Sequence, residues 1–316
     1  MASASKPIIP RVALAGMEGE ISTLIVGCDN KNSLDEAQAL WDAWWEAGGN
    51  AFDTAFVYGK GLHEQVLGQW LRQRGVGNEA RVIVKGAHTP NCVPEAIAEQ
   101  LEISLDRLGL SHAPVYIMHR DNLDVPVGEF VDALNALVDQ GLIGALGGSN
   151  WSVERFVEAE TYAKERGLRP LSILNNNLSL AVMEKPVWAG CITSNSPEML
   201  AYLRDSGTTH LSWSSQARGY FIAASERTEL PEDTAPDTCF ASHGNEERRH
   251  RAETLAQERG VKTHNIATAW VLAQAFPSLA LIGPRTIAEI ETTLPALALN
   301  LTEAEIAWLN LERDER

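Results

Sequence analysis

The chain has 316 residues, with 45% hydrophobic and 22% charged residues and a formal net charge of −16. That composition is globular rather than disordered or membrane-like, and the negative surface field argues against non-specific binding to nucleic acid or anionic membrane. The length exceeds that of a usual domain but suits one α/β barrel, so a single domain over residues 1–316 is expected.

Residues 1–10 lack the apolar run of a secretory leader, and no stretch of about 18 apolar residues occurs. A soluble cytoplasmic protein is the expectation. Cys28, Cys92, Cys191 and Cys239 are far apart with no C-x-x-C spacing. They predict reduced thiols acting as small hydrophobes, with neither a zinc site nor a disulfide framework.

In chain order, residues 12–15 and 20–23 predict a hairpin. An apolar run at 24–28 precedes helical spacing at 34–47, where Leu34, Ala37, Leu40, Trp41, Trp44 and Trp45 recur on one face. A strand at 50–55 is followed by a helix at 63–74, a β-branched strand at 81–87 by an amphipathic helix at 94–108, and a strand at 115–118 by a helix at 126–140. Further strand runs lie at 143–147, 171–174, 210–213 and 280–282, with helices at 152–166, 197–205 and 287–298. Residues 254–276 read as two helices broken at Gly260, and 223–248 as a long surface loop. Thr302 and Glu305 form a capping box for a last helix within 301–311.

From residue 24 onward this gives eight strand candidates, each followed by a helix or a long loop. Strict alternation implies a parallel sheet, and eight units predict a closed (β/α)8 barrel with an N-terminal hairpin and an extra C-terminal helix. An open doubly wound sheet is the weaker alternative, since no G-x-G-x-x-G follows the first strand.

In such a barrel the site lies where strands end at their carboxyl side. Asp53 ends the second strand with Tyr58 in its loop, Lys85 ends the third, His119 and Arg120 the fourth, and Ser149 and Asn150 the fifth. Singly, each has an ordinary explanation as a cap, a half-buried aromatic or a satisfied core group. Together they make an acid catalyst. A phenol of pKa about 10 is a poor proton donor near neutrality. A neighbouring lysine would lower that value, a carboxylate would hold the lysine charged, and His119 would hydrogen-bond a carbonyl oxygen. Such a group delivers a proton but no reducing electrons, so a hydride donor is required.

The stretches F-D-T-A-F-V-Y-G-K-G-L-H-E-Q-V-L-G, V-Y-I-M-H-R-D and L-I-G-A-L-G-G-S-N-W, in this order, resemble those of the aldo-keto reductases. The similarity runs over about residues 24–309. It implies a (β/α)8 enzyme that reduces carbonyls with a nicotinamide cofactor, with Asp53, Tyr58, Lys85 and His119 as the catalytic group. It also implies that Ser149, Asn150 and Asn175 hold the carboxamide, that Trp213 stacks on the nicotinamide ring, and that Ser214, Gln216, Arg218 and Gly219 wrap the pyrophosphate. Gly283 lies in the adenosine-phosphate segment, with Arg285 and Thr286 placed for a 2′-phosphate and Glu289 for adenine or ribose. A guanidinium fork matches phosphate, which tilts the cofactor toward NADPH. Thr292 and Thr293 stand where the family often has Glu-Asn.

Asp29, Asn30, His88, Arg120 and Asp121 line the expected pocket, with Trp151 and Trp188 as an apolar platform. Buried hydroxyls require partners, so this wall suits a sugar or sugar-derived aldehyde or ketone better than a steroid. The alternative is a nicotinamide-binding regulatory module of the same fold with little turnover. A phosphate-binding lyase or isomerase barrel would require a glycine cluster that is absent around Gly283.

Overall fold

The computed structural model describes residues 8–316, so most of the segment read for a leader lies outside the described residues. Strands β3 (Leu24–Gly27), β4 (Ala51–Asp53), β5 (Arg81–Gly86), β6 (Ala113–Met118), β7 (Ile143–Ser149), β8 (Ile173–Asn175), β9 (Thr209–Ser212) and β10 (Ser278–Ile282) pair in parallel, and β10 closes on β3. Strands β1 (Arg11–Ala13) and β2 (Glu20–Ser22) form the expected antiparallel hairpin. It is pinned at the amino end of the barrel, where the Ser22 N–H donates to Asn50 Oδ1 at 2.8 Å.

Successive strand side chains point to opposite faces, and the sequence fills both faces with apolar groups. Ile25, Ala51, Ile83, Val115, Ile117, Ala145, Ile173, Leu211, Leu279 and Leu281 form the barrel interior, joined from the hairpin by Leu14 and Ile21. The other face, including Leu24, Phe52, Val84, Tyr116 and Leu174, packs under the helices. This double burial explains why the strands read as continuous apolar runs.

Helices α1 (Leu34–Glu46), α2 (Leu62–Arg74), α3 (Pro94–Leu108), α4 (Val127–Asp139), α5 (Val153–Arg166) and α6 (Pro197–Ser206) follow the first six barrel strands. After β9 come α7 (Pro236–Phe240), α8 (His243–Arg259) and α9 (Thr263–Leu272), and after β10 come α10 (Ile287–Thr293) and α11 (Glu303–Leu309). The periodic tryptophans of α1 do what their spacing implies: Trp41 meets Trp70 of α2 with ring centroids at 6.0 Å, and Trp70 meets Phe52 at 5.0 Å. The Thr302–Glu305 capping box is present.

The expected loop at 223–248 is not one loop. It holds α7, and α8 begins at His243 rather than at 254. Residues 243–251 are almost all polar, so an apolar period could not reveal the helix. Its local signal is the Ser242 cap, which accepts from Asn245 N. The helix ends at Gly260, as the sequence implied, in a left-handed conformation with φ 67°. Helix α10 gives way to a 3₁₀ turn at Leu294–Ala298, where Pro295 follows, so 287–298 is not one regular helix.

Behind β8 and β9 a polar knot is fully buried. His210 bonds Ser212 Oγ at 2.8 Å and Ser194 Oγ at 2.9 Å, and burial pulls its pKa down to about 3. An unfolded histidine titrates near 6.5, so the unfolded chain binds more protons between these values and stability is lost as pH falls below about 6.5. From this residue we expect a loss of up to about 1.4 kcal/mol per pH unit. Urea unfolding at pH 7.5, 6.0 and 5.0 measures the slope, which His210→Asn should flatten; an unchanged slope would refute the assignment.

Candidate active site

The site follows from the pleat. Stepping two residues beyond the last apolar interior position of each strand leads from Ala51 to Asp53, Ile83 to Lys85, Ile117 to His119, Ile173 to Asn175, Leu211 to Trp213 and Leu281 to Gly283. Two such steps lead from Ala145 through Gly147 to Ser149, and from Ile25 through Gly27 to Asp29. The residues picked out on the sequence therefore converge on one rim, at the carboxyl ends of the strands.

Tyr58 is brought over this rim by its loop. The chain beyond β4 keeps pairing with β5, with Thr54 N–H bonding Ile83 O at 3.0 Å and Phe56 N–H bonding Lys85 O at 2.8 Å. It then turns through Gly59 and Gly61, with φ of 55° and 93°, into α2. His119 is fixed by its own N–H, which bonds Gly86 O at 2.7 Å.

Lys85 Nζ donates to Asp53 Oδ1 in an ion pair whose side chains are 3% and 7% exposed. The ammonium also lies 5.2 Å from the centre of the Tyr58 ring, and that ring stands edge to face with His119 at 5.6 Å. Neither the Tyr58 hydroxyl nor His119 Nε2 has a protein partner among the described residues, while His119 Nδ1 is buried and unpaired.

Burial dominates the electrostatics. It pushes Asp53 above the usual carboxylate range, against the pull of Lys85. Burial, the Lys85 charge and the neighbouring His88 and Arg120 hold His119 well below its ordinary value, so the imidazole is neutral near pH 7. The sequence implied that Lys85 lowers the Tyr58 pKa; instead the phenol is raised well above its ordinary value by burial and by the charges of Asp53 and Asp29. The physical reason is burial, which disfavours the phenolate more than the neighbouring cations favour it. The cation that pulls the phenol down is Arg120.

The expected carboxamide residues adjoin one another. Ser149 Oγ donates to Asn175 O at 2.8 Å, Asn150 Nδ2 to Ser149 Oγ at 3.0 Å and Asn175 Nδ2 to Leu211 O at 2.7 Å. Trp213 is half-buried with its indole N–H unpaired, beside the unpaired Oδ1 of buried Asn177. The chain after β9 turns outward through Ser214, Ala217 and Arg218, with φ of 50°, 47° and 55°. Arg218 Nε donates to Thr234 O at 2.6 Å, tying residue 218 to the segment before α7. Open space surrounds the Gly283 backbone, and the nearest side chain to Gly219 stands at 3.8 Å from where a Cβ would be.

Gln216 is turned toward the helices and donates to Thr268 Oγ1 at 3.1 Å and Thr293 Oγ1 at 3.3 Å. Thr286 caps α10, and Glu289 accepts from the Arg285 N–H at 2.7 Å and from Thr228 Oγ1 at 3.4 Å, so this carboxylate serves the backbone and the 228 segment here. The Arg285 guanidinium is exposed and has no ion-pair partner among the described residues.

On the substrate side, Asp29 is exposed and Arg120 half-buried. Trp151 is not a platform: it is fully buried, packs on Phe156 at 6.4 Å and donates its indole N–H to Arg120 O at 3.3 Å. Trp188 is 46% exposed but lies against the expected cofactor residues, with Trp213 at 5.9 Å and the Arg218 guanidinium at 5.3 Å from its ring. Cys191 and Arg155 escaped the sequence reading. Cys191 accepts from Arg120 Nη2 at 3.7 Å, and Arg155 holds the loop after His119. Pairs 71 and 34 residues apart leave no local signal.

Fold and rim together define an α/β-barrel enzyme class with a polar site at the carboxyl ends of the strands. The aldo/keto reductase family model matches residues 23–310, so the chain belongs to that family and is an oxidoreductase acting on carbonyl groups. An uncharacterised oxidoreductase of Bacillus subtilis (strain 168), YrpG, is 27% identical over 92% of this chain and 91% of its own length. The aldo-keto reductase str7 of Strobilurus tenacellus is 26% identical over 87% of this chain and 80% of its own. Norsolorinic acid reductase A of Aspergillus parasiticus is 25% identical over 88% of this chain and 71% of its own.

The buried ion pair has a measurable consequence. Lys85→Met strands a buried carboxylate and should cost about 3–5 kcal/mol, whereas the double variant Lys85→Met with Asp53→Asn should recover much of that loss. Urea titrations of the singles and the double measure the coupling, and strictly additive losses would show that the pair is not coupled.

Proposed function

We propose that the chain is a cytoplasmic NADPH-dependent reductase that transfers a hydride to an aldehyde or ketone of a sugar or sugar-derived substrate, with Tyr58 as general acid. The observation that carries this reading is the buried Asp53–Lys85 pair under the Tyr58 ring, with neutral His119 beside it.

A bound nicotinamide cofactor supplies the hydride. The residues present fit such a group: Arg218 and Arg285 have no carboxylate partner among the described residues, the backbone at Gly219 and Gly283 is open, and the Trp213 indole N–H and Asn177 Oδ1 are unpaired. Ser149, Asn150 and Asn175 would hold the carboxamide, with Trp213 against the ring. Ser214, Arg218 and Gly219 would take the pyrophosphate, while the Gln216 side chain is held by Thr268 and Thr293 and Glu289 would reach the adenosine only by giving up Thr228. The uncommitted Arg285 fork, beside Thr286, supports a 2′-phosphate and hence NADPH.

His119 donates to the substrate carbonyl oxygen as a neutral imidazole, which polarises it without competing for the proton. Tyr58 then gives its hydroxyl proton to the developing alkoxide, and Lys85 stabilises the phenolate left behind. In the reverse direction the phenolate is the base. The polar wall of Asp29, Asn30, His88 and Arg120 supports a hydroxylated substrate, since its hydroxyls would find partners there.

Tyr58→Phe should lower turnover by at least about 100-fold with cofactor affinity retained; near-wild-type turnover sinks the assignment. Because the phenol is raised, it keeps its proton through neutrality, so reduction should hold its plateau to at least about pH 9 while alcohol oxidation climbs with pH. A fall in reduction near pH 7 would contradict this. Arg285→Ala should weaken NADPH far more than NADH in fluorescence titrations. Sugar aldehydes assayed beside benzaldehydes decide the substrate class.

A further inference from the structure

Arg120 follows His119 beyond the carboxyl end of β6, and its half-buried guanidinium has only neutral partners. Nη1 donates to His119 O at 3.2 Å and Nη2 to Cys191 Sγ at 3.7 Å, and no carboxylate pairs with it among the described residues. Nearby arginines are balanced: Arg155 by Asp121 at 3.1 Å and Arg107 by Glu64 at 2.8 Å. A guanidinium has five N–H donors, and a half-buried one without a counter-ion is costly to hold.

The base beneath it is rigid. Arg120 O accepts from Cys92 Sγ and from the Trp151 indole, each at 3.3 Å. Arg155 then pins the residues that follow, bonding Asp121 at 3.1 Å, Asn122 O at 3.2 Å and Val125 O at 2.6 Å. Arg120 directly follows His119, and Nη1 bonds the His119 backbone, so the cation sits beside one reacting group; its charge is a minor influence beside burial on both Tyr58 and His119. Asp29 follows β3, three strands away around the barrel.

We propose that Arg120 is the anion anchor of the substrate pocket and that the preferred substrates are carbonyl compounds bearing a carboxylate, of the uronate or ω-oxo-acid kind. The fork geometry suits a carboxylate, and a single charge balances a single guanidinium. A dianionic phosphate would leave excess charge facing Asp29. This specificity rests on the reductase reading above. Arg155 is a positioning residue for the anchor.

The test compares kcat/KM with NADPH for D-glucuronate and for 4-oxobutanoate, each against its methyl ester, with D-glucose 6-phosphate alongside. The acids should be preferred at least about 10-fold. That preference should fall to within about 2-fold in Arg120→Met and persist in part in Arg120→Lys, with circular dichroism melts confirming folded variants. Equal use of acid and ester, an unchanged ratio in Arg120→Met, or a preference for the phosphate overturns the proposal while the reductase stands. No turnover of any carbonyl sinks the reductase reading instead. Calorimetric titration of butyrate into protein saturated with NADP+ tests the anchor independently: binding lost in Arg120→Met supports it, and absence of binding overturns it.

Discussion

Closure of a parallel barrel is the constraint from which the rest follows. Once β10 pairs with β3, every second residue of every strand must face a common axis, and the interior fills with Ile25, Ile83, Val115, Ile117, Ile173, Leu211 and their neighbours. Beyond the last apolar layer the same two-residue step continues at the open end, where polar side chains have room and solvent. Asp53, Lys85, His119, Ser149, Asn175 and Trp213 owe their convergence to that step. No pairwise attraction has to assemble them.

The ion pair at this mouth sets the chemistry of its neighbours. Lys85 and Asp53 are ion-paired in a place where neither has appreciable access to water. The same burial that makes the pair costly to break raises the Tyr58 phenol and depresses the His119 imidazole. Each of those two groups is thereby kept in its uncharged, proton-bearing form near neutrality. In the proposed reduction, such a rim would favour proton donation toward a carbonyl oxygen, and the paired ammonium below would stabilise the charge that donation leaves.

Loops then differentiate the two sides of the rim. On the β9 side, Arg218 is tied to Thr234 and Thr228 reaches Glu289, so the segment before α7 is fastened to the turn after β9 and to α10. On the β6 side, Arg155, Cys92 and Trp151 fix the backbone around Arg120, whose guanidinium donates to Cys191 and to the His119 carbonyl. Trp188 belongs to the first side, tilted against Trp213 and covered by Arg218.

The sequence by itself determined the alternation of strand and helix, the hairpin, the final capping box and the residues at each strand end. These are local: an apolar run, a cap serine or a turn glycine acts within a few positions. The loop reading of 223–248 failed where locality offers little, because α8 is polar for its first turns and carries only the Ser242 cap as a signal. Tertiary structure alone decided that Trp151 is buried beneath Arg120, that Trp188 sides with Trp213, and that burial raises the Tyr58 phenol instead of the lysine lowering it. Those outcomes depend on which chain segments, 25 to 32 residues apart, share the same low-dielectric space. Burial is a property of the assembled barrel, so neither the shifted phenol nor the unpaired guanidinium could be read from residue order.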